Sequence, residues 1–358
     1  MINVTKTFLP PLEKYIEYLD EIWETKHITN HGKFSVQLEN DLKEYLGVKH
    51  LFLVNNGTIA LQIALKTLQI KGKVITTPFS YVATTSSLVW EGFEPVFTDI
   101  DKNSFCLDPD KIEAQITPKV KAILATHVYG NPCDVEAIER LAGKHNLRVV
   151  YDAAHAFGVT YKGESILSHG DISTISFHAT KLFHTAEGGA IITNDDDLAH
   201  KISYMRNFGH NGPEHFWGIG INGKSSELHA AMGLCILPEV NNLVQRRKDL
   251  SALYDQLLLM HGLQKQVIRE GTTYNYAYYP VLFPCESALL SALASLNANQ
   301  IFPRRYFFPS LNFLNYVEYH KMPISEDIAS RVLCLPLYHD LTEQEIGQIS
   351  GLITNSIQ

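Results

Sequence analysis

Short runs that are apolar from end to end, not at every second residue, recur along the first half of the chain. They are LFLVNN from Leu51, KVITTPF from Lys73, EPVFTDI from Glu94, VKAILATHVYG from Val120 and LRVVYDAAHAFG from Leu147. A strand with one face in water alternates polar and apolar residues, whereas a strand apolar on both faces must be covered on both. Segments of helical period lie between the runs: Leu61, Leu65 and Leu68 fall on one side of GTIALQIALKTLQI, and Val135, Ile138 and Leu141 on one side of CDVEAIERLAGKHN. Strands of this kind alternating with helices predict an α/β fold, a mostly parallel sheet with helices on both faces.

At 358 residues the chain exceeds the length at which one core keeps growing, roughly 250–300 residues. The texture changes near residue 240. A charged helix, EVNNLVQRRKDLSALYDQLLLMHG, leads to the strand YYPVLF, the helix CESALLSALASLNANQI, an aromatic loop and a closing helix, TEQEIGQISGLITNSI. The expected organisation is a large α/β domain over residues 1–240 and a small α+β C-terminal domain over 241–358.

Bulk chemistry narrows the partners. A net charge of −8 argues against nucleic acid or an anionic membrane surface as the main partner. No stretch reaches the roughly 18 apolar residues of a membrane span, and MINVTKTFLPPLEKY lacks the cationic and long apolar segments of a secretory signal. Five scattered cysteines without a C-x-x-C pair suggest buried reduced thiols, and a cytoplasmic protein is expected. Sixteen histidines invite a metal site, but HITNHG (His27 and His31) reads as a turn and lacks the glutamate of H-E-x-x-H, so no metal is expected. GIGING, from Gly218 to Gly223, spells a dinucleotide fingerprint, yet PEHFW before it is a poor strand, and a flexible loop over an active site is the better expectation.

Four stretches set polar groups where a strand ends or a helix begins, the edge at which open α/β sheets bind ligands. In NNGTIAL, Gly57 and Thr58 open a helix whose free amides suit a phosphate, or Asn56 is a plain cap. In VVYDAAHAFG, Asp152 ends an apolar strand and needs either a structural cation or a ring nitrogen to hold protonated, with His155 at the ring's edge. In SFHATKLFHTAEGG, Lys181 is either salt-bridged or an amine made nucleophilic by a depressed pKa. There Ser176 and Thr180 offer hydroxyls to a phosphate, and Gly188-Gly189 would let the chain turn sharply into the next strand. In PFSYVATTS, Tyr81 could stack on a flat ring. Together these make a pocket for pyridoxal 5′-phosphate (PLP), whose signature is a lysine on the aldehyde and an acid at the pyridine nitrogen.

From FLPPLEKY to LCLPLYHDLT the chain resembles the DegT/DnrJ/EryC1/StrS sugar aminotransferases, of the aspartate aminotransferase-like fold (fold type I); DAAHAFG, SFHATK…EGGAI and NNGTIAL carry the likeness. The resemblance implies that Lys181 bonds the cofactor and later moves the proton, with Asp152 on the ring nitrogen and His155 near the ring hydroxyl. It further implies that Gly57, Thr58 and Ser176 hold the phosphate, that Tyr81 covers the ring, and that Asn222 reaches the phosphate of the other subunit of a homodimer with shared active sites. The implied reaction passes an amino group from L-glutamate, through PLP and its amine form PMP, to a nucleotide-linked keto-deoxysugar. TNHGKFSVQLE, NNGTIALQIAL and TTPFSYVATTSSLVW resemble the members that aminate dTDP-4-keto-6-deoxy-D-glucose at C4 for O-antigen and related glycans. Amination at C3 is the chief alternative, and a non-catalytic regulator of the same fold a distant one. Lys224-Ser225 replaces a frequent arginine-methionine pair and Pro309-Ser310-Leu311 a frequent PLH, which leaves Arg304, Arg305 and Tyr306 as candidates for sugar or diphosphate.

Overall fold

The computed structural model describes residues 1–357. Seven strands form the central sheet: β1 (His50–Val54), β2 (Lys73–Thr76), β3 (Glu94–Phe97), β4 (Val120–Thr126), β5 (Arg148–Asp152), β6 (Ile172–Ser176) and β7 (Gly189–Thr193). Their spatial order is β1-β7-β6-β5-β4-β2-β3. The pairs from β6 to β3 are parallel, and β7 runs antiparallel to both its neighbours. Parallel neighbours need a crossover, usually a helix. Residues 177–188 contain no helix, and the chain returns antiparallel into β7.

The strands apolar on both faces are buried on both. Along β5, Val149 and Tyr151 join the core on one side while Val150 joins the core on the other. Helices α1 (Leu12–Thr25) and α2 (Lys33–Leu46) precede β1; α3 (Gly57–Thr67) follows it, and α4 (Val82–Trp90) follows β2. Later come α5 (Val135–His145), α6 (Asp196–Met205) and α7 (Glu227–Ile236). One face of the sheet packs on α3 and α6 through Leu61, Leu65, Leu198 and Ile202. The other packs on α2, α5 and α7 through Leu38, Leu42, Ile138 and Leu234. Neither α1 nor α2 is anticipated by the strand-helix alternation. The N-cap of α2 is Gly32, which has no side chain to cap with, and Glu227 substitutes by accepting from the amides of Phe34 (2.7 Å) and Ser35 (3.1 Å).

A separate apolar cluster draws on residues 250–353. The antiparallel pair β8 (Tyr279–Leu282) and β9 (Val332–Leu335) packs there with a long helix (Val240–Leu258), Glu286–Ala298 and the last helix, Glu343–Ile357. Of the cysteines, Cys106, Cys133, Cys235 and Cys334 are buried, whereas Cys285, before a helix start, is exposed rather than buried as expected. Among the described residues no helix is long and apolar enough to cross a membrane.

Candidate active site

The ends of β5 and β6 and the N-termini of α3 and α4 converge on a cavity of about 280 Å³, near the lower end, roughly 300 Å³, of small-molecule sites. Gly57, Thr58, Tyr81, Asp152, His155, Ser176 and Lys181 all line it.

At α3, Asn56 accepts from the amide of Ile59 (2.8 Å), so the cap is real. The preceding amides of Gly57 and Thr58 have no protein acceptor among the described residues and lie where the helix dipole favours an anion. Gly57 is required by proximity: a Cβ there would stand 2.9 Å from Cβ of Ser176. Only glycine lets this helix end close on the strand end that carries the Ser176 hydroxyl.

Asp152 ends β5 and is buried. Its Oδ2 accepts from Thr84 Oγ1 at 2.7 Å and its Oδ1 from the amide of Ala154 at 3.1 Å. Burial raises its pKa above the usual carboxylate range, while Thr84, Ala154 and the charge of Lys181 pull it back. Lys181 lies in the loop between β6 and β7, its amide bonded to the carbonyl of His178 (2.8 Å). Its Nζ donates to Tyr278 Oη at 3.4 Å. Burial brings the amine down to about 8; Asp152 and Tyr81 oppose the drop and Arg304 adds to it. At pH 7.5 about a quarter of such amines are neutral, against about one in a thousand at the ordinary value.

His155 is packed among aromatic rings. Tyr278 lies 4.5 Å away between centroids, and Phe307 is nearly parallel to it at 5.6 Å and 10°. Burial holds its pKa well below 6.5, so the imidazole is neutral, and Nδ1 has no partner among the described residues. Tyr81, at the N-cap of α4, lines the cavity and is 53% exposed. A flat phosphorylated pyridine fits this donor set: open amides and a hydroxyl for the phosphate, a buried carboxylate for the ring nitrogen, an unpaired imidazole and a depressed amine.

Gly188-Gly189 does not make the turn into β7; positive φ falls on Ala186 (66°). The two glycines are there because a Cβ on Gly188 would stand 2.0 Å from Thr185 Oγ1, and one on Gly189 2.8 Å from the Asn56 carbonyl carbon. Thr180 turns its hydroxyl to His178 Nδ1 (2.9 Å), although both residues line the cavity. Gly218–Gly223 does not cover this chain's cavity: it folds back on α6, Ile221 bonding Met205 and Gly223 bonding Arg206 through the backbone. Asn222 is exposed in that segment, paired through its backbone with Asn207 and away from the cavity of its own chain.

Arg304 and Tyr306 line the cavity, the guanidinium 4.5 Å over the ring, while Arg305 faces away to Glu286 and the carbonyl of Ser330. Ser310 is buried against Ser325 (2.7 Å), a structural contact. Sequence reasoning missed Thr84, Tyr278 and Phe307. Thr84 is legible in retrospect as a hydroxyl in the first turn of a helix at the ligand edge. Tyr278 and Phe307 sit in aromatic-rich stretches, where nothing local separates a cavity wall from a core. Among the described residues no group of three or more His, Cys, Asp or Glu is placed to hold a metal ion.

The model of the DegT/DnrJ/EryC1/StrS aminotransferase family matches residues 12–354. A dTDP-4-amino-4,6-dideoxy-D-glucose transaminase of Shigella dysenteriae is 44% identical over 359 residues, 98% of each chain. Among solved structures, DesI in the presence of its TDP-sugar product is similar at a TM-score of 0.94 and 30% identity, over 100% of this chain and 93% of that one. NtdA from Bacillus subtilis, with bound cofactor PMP, is similar at 0.90 and 26%, over 97% and 82%.

Proposed function

The chain belongs to the DegT/DnrJ/EryC1/StrS aminotransferase family, and from that premise we propose that it moves the amino group of L-glutamate onto dTDP-4-keto-6-deoxy-D-glucose, giving dTDP-4-amino-4,6-dideoxy-D-glucose. The observation that carries this is the pair at one cavity, a half-buried amine depressed to about 8 and a buried carboxylate anchored by Thr84 and Ala154. The name of the Shigella dysenteriae relative supports the sugar and the position of amination.

PLP, when bound, supplies an electron sink for the bond broken next to the amino group. The amides of Gly57 and Thr58 and the hydroxyl of Ser176 hold its phosphate. Asp152 keeps the ring nitrogen protonated, and His155, neutral, meets the ring edge without adding charge. Tyr81 closes the open face against water. Lys181 holds the cofactor between turnovers and, once displaced, carries the substrate's proton as a base whose pKa is close to the working pH. Tyr278 steadies that amine through its hydroxyl. Arg304, which forms no salt bridge among the described residues, stands ready for a substrate carboxylate or diphosphate.

We also infer a homodimer with shared active sites. Asn222 is exposed away from its own cavity, beside the exposed apolar side chains of Phe216, Trp217, Ile219 and Ile221. The separate apolar cluster over residues 250–353 supports a large domain over 1–240 and a small one over 241–358.

The test is incubation of purified protein with glutamate and, separately, the 3-keto and 4-keto dTDP-6-deoxysugars. Transfer to the 4-keto sugar, abolished by Lys181→Ala, is expected. Transfer to the 3-keto sugar alone overturns the position, and full activity of Lys181→Ala overturns the mechanism.

A further inference from the structure

Behind Asp152 runs a row of buried hydroxyls. Thr126, the last residue of β4 and the register partner of Asp152, donates through Oγ1 to Ser80 Oγ at 3.0 Å. Ser80 Oγ lies 2.7 Å from Thr84 Oγ1, which lies 2.7 Å from Asp152 Oδ2. All four side chains are buried. Three separate elements, β4, the loop before α4 and the first turn of α4, supply the hydroxyls.

Each hydroxyl carries one proton, so fixing one end of the row fixes its direction. An ionised carboxylate only accepts. Thr84 then gives its proton to Asp152, Ser80 to Thr84 and Thr126 to Ser80, and every proton is used. With Asp152 protonated and donating to Thr84, the row runs the other way and the proton of Thr126 is left over. Thr126 Oγ1 has no other hydrogen bond among the described residues, and a buried donor without an acceptor is costly. The row is complete only when Asp152 is charged, and each bond polarises the next.

We propose that Thr126, Ser80 and Thr84 form a one-way hydroxyl relay that keeps Asp152 ionised and aimed into the cavity, Thr84 by contact and Ser80 and Thr126 as positioning residues. This rests on the role given above to Asp152 at the ring nitrogen. The remaining groups around the carboxylate leave the relay this task. Lys181 adds a favourable charge across the cavity, and His155 and His127 are neutral, His127 having been brought down by burial to about 3. Neither the first nor the last turn of α4 carries a charged residue, and β6 presents Thr174.

PMP forms no bond to Lys181, so its affinity reads the non-covalent pocket alone. Its dissociation constant is measured across pH for the wild type and for Thr84→Val, Ser80→Ala and Thr126→Val, with Thr84→Ser and Thr126→Ser as hydroxyl-keeping controls and thermal unfolding run alongside. Affinity should weaken by about tenfold or more for Thr84→Val, about three- to tenfold for Ser80→Ala and about twofold for Thr126→Val. The loss of binding on acidification should move to higher pH in the same order, and the serine controls should restore both. Wild-type affinity and an unmoved acid limb in Ser80→Ala and Thr126→Val overturn the relay, even if those variants melt earlier. Failure of the wild type to bind PMP, or unchanged binding by Asp152→Asn, overturns instead the role of Asp152.

Discussion

Replacing Lys181 by methionine should stabilise the apo protein at neutral pH while removing the group on which the proposed chemistry depends. Burial takes the amine from its ordinary 10.5 down to about 8. A tenfold change in proton affinity corresponds to about 1.4 kcal/mol, so the fall from 10.5 to about 8 amounts to about 3 kcal/mol. Part of the side chain remains exposed, and screening reduces this to about 2 kcal/mol. The sign follows from where the proton binds better. The folded pKa lies below the unfolded one, so the unfolded chain holds the proton more tightly. The destabilisation is therefore complete below pH 8, shrinks between 8 and 10.5, and is absent above.

Methionine keeps an unbranched apolar stem of similar length and loses little packing. Asp152 gives some of the gain back, because the charge of Lys181 helps to keep that carboxylate ionised. The double variant Lys181→Met/Asp152→Asn removes this offset. The assay is denaturant unfolding of the apo proteins at a series of pH values from 6.5 to above the ordinary lysine value. The variant should unfold at higher denaturant at pH 7, and the difference should close as the pH rises. A variant no more stable than the wild type at pH 7, or a difference that does not change with pH, would refute the claim that Lys181 is held against its own solvation.

Gly57→Ala should weaken PLP at least tenfold but pyridoxal, which has no phosphate, far less, because the new Cβ would push the helix end off Ser176 at 2.9 Å; equal losses for both ligands would count against a phosphate cradle there. Arg304→Ala should raise KM about tenfold for one anionic substrate, glutamate or the sugar nucleotide, with a smaller change in kcat; unchanged KM for both would remove Arg304 from substrate binding. Since burial holds the His155 imidazole well below 6.5, the rate–pH profile should show no step of this residue near neutrality. A step near pH 6.5 that disappears in His155→Gln would contradict its neutrality.

How much of the fold and the site was legible in the sequence depends on how far each cause reaches along the chain. Asp152 and the Asn56-Gly57 cap were readable because each ends an apolar run, where a polar group needs a partner whatever the rest of the fold does, and Lys181 because it stands in the loop between two such runs. The layering was readable from the same runs. The direction of β7 was not readable, because the segments before β6 and before β7 both lack an α-helix and yet β6 enters parallel and β7 antiparallel. The cap of α2 comes from Glu227, nearly two hundred residues away, to a glycine that announces nothing. Tyr278 and Phe307 reach His155 from beyond residue 270, and their stretches are equally aromatic where they face the core. The glycine pair 188–189 illustrates a subtler failure, since glycine serves close approach as readily as a turn, and only the neighbours distinguish the two.

Three titratable side chains at the cavity are each displaced by burial toward the neutral form: Asp152 upward, Lys181 and His155 downward. A structural role for Lys181 and Asp152 would be an ion pair that cancels both displacements. The fold does not close that pair. Asp152 spends its two oxygens on Thr84 and Ala154, Lys181 bonds Tyr278, and no salt bridge joins the two among the described residues. Among the described residues His155 Nδ1 has no partner either. Mutual neutralisation is thus withheld although the charges are near enough to influence each other, and the separation is maintained by rigid parts: a strand end, a helix turn and a glycine-packed loop. Such an arrangement costs stability and gains nothing by itself. It becomes favourable when one flat molecule brings a basic nitrogen to the acid, a carbonyl to the amine and a phosphate to the open amides of α3 at once. The energetic cost built into these three side chains and the chemistry proposed for them on a bound cofactor therefore have the same origin.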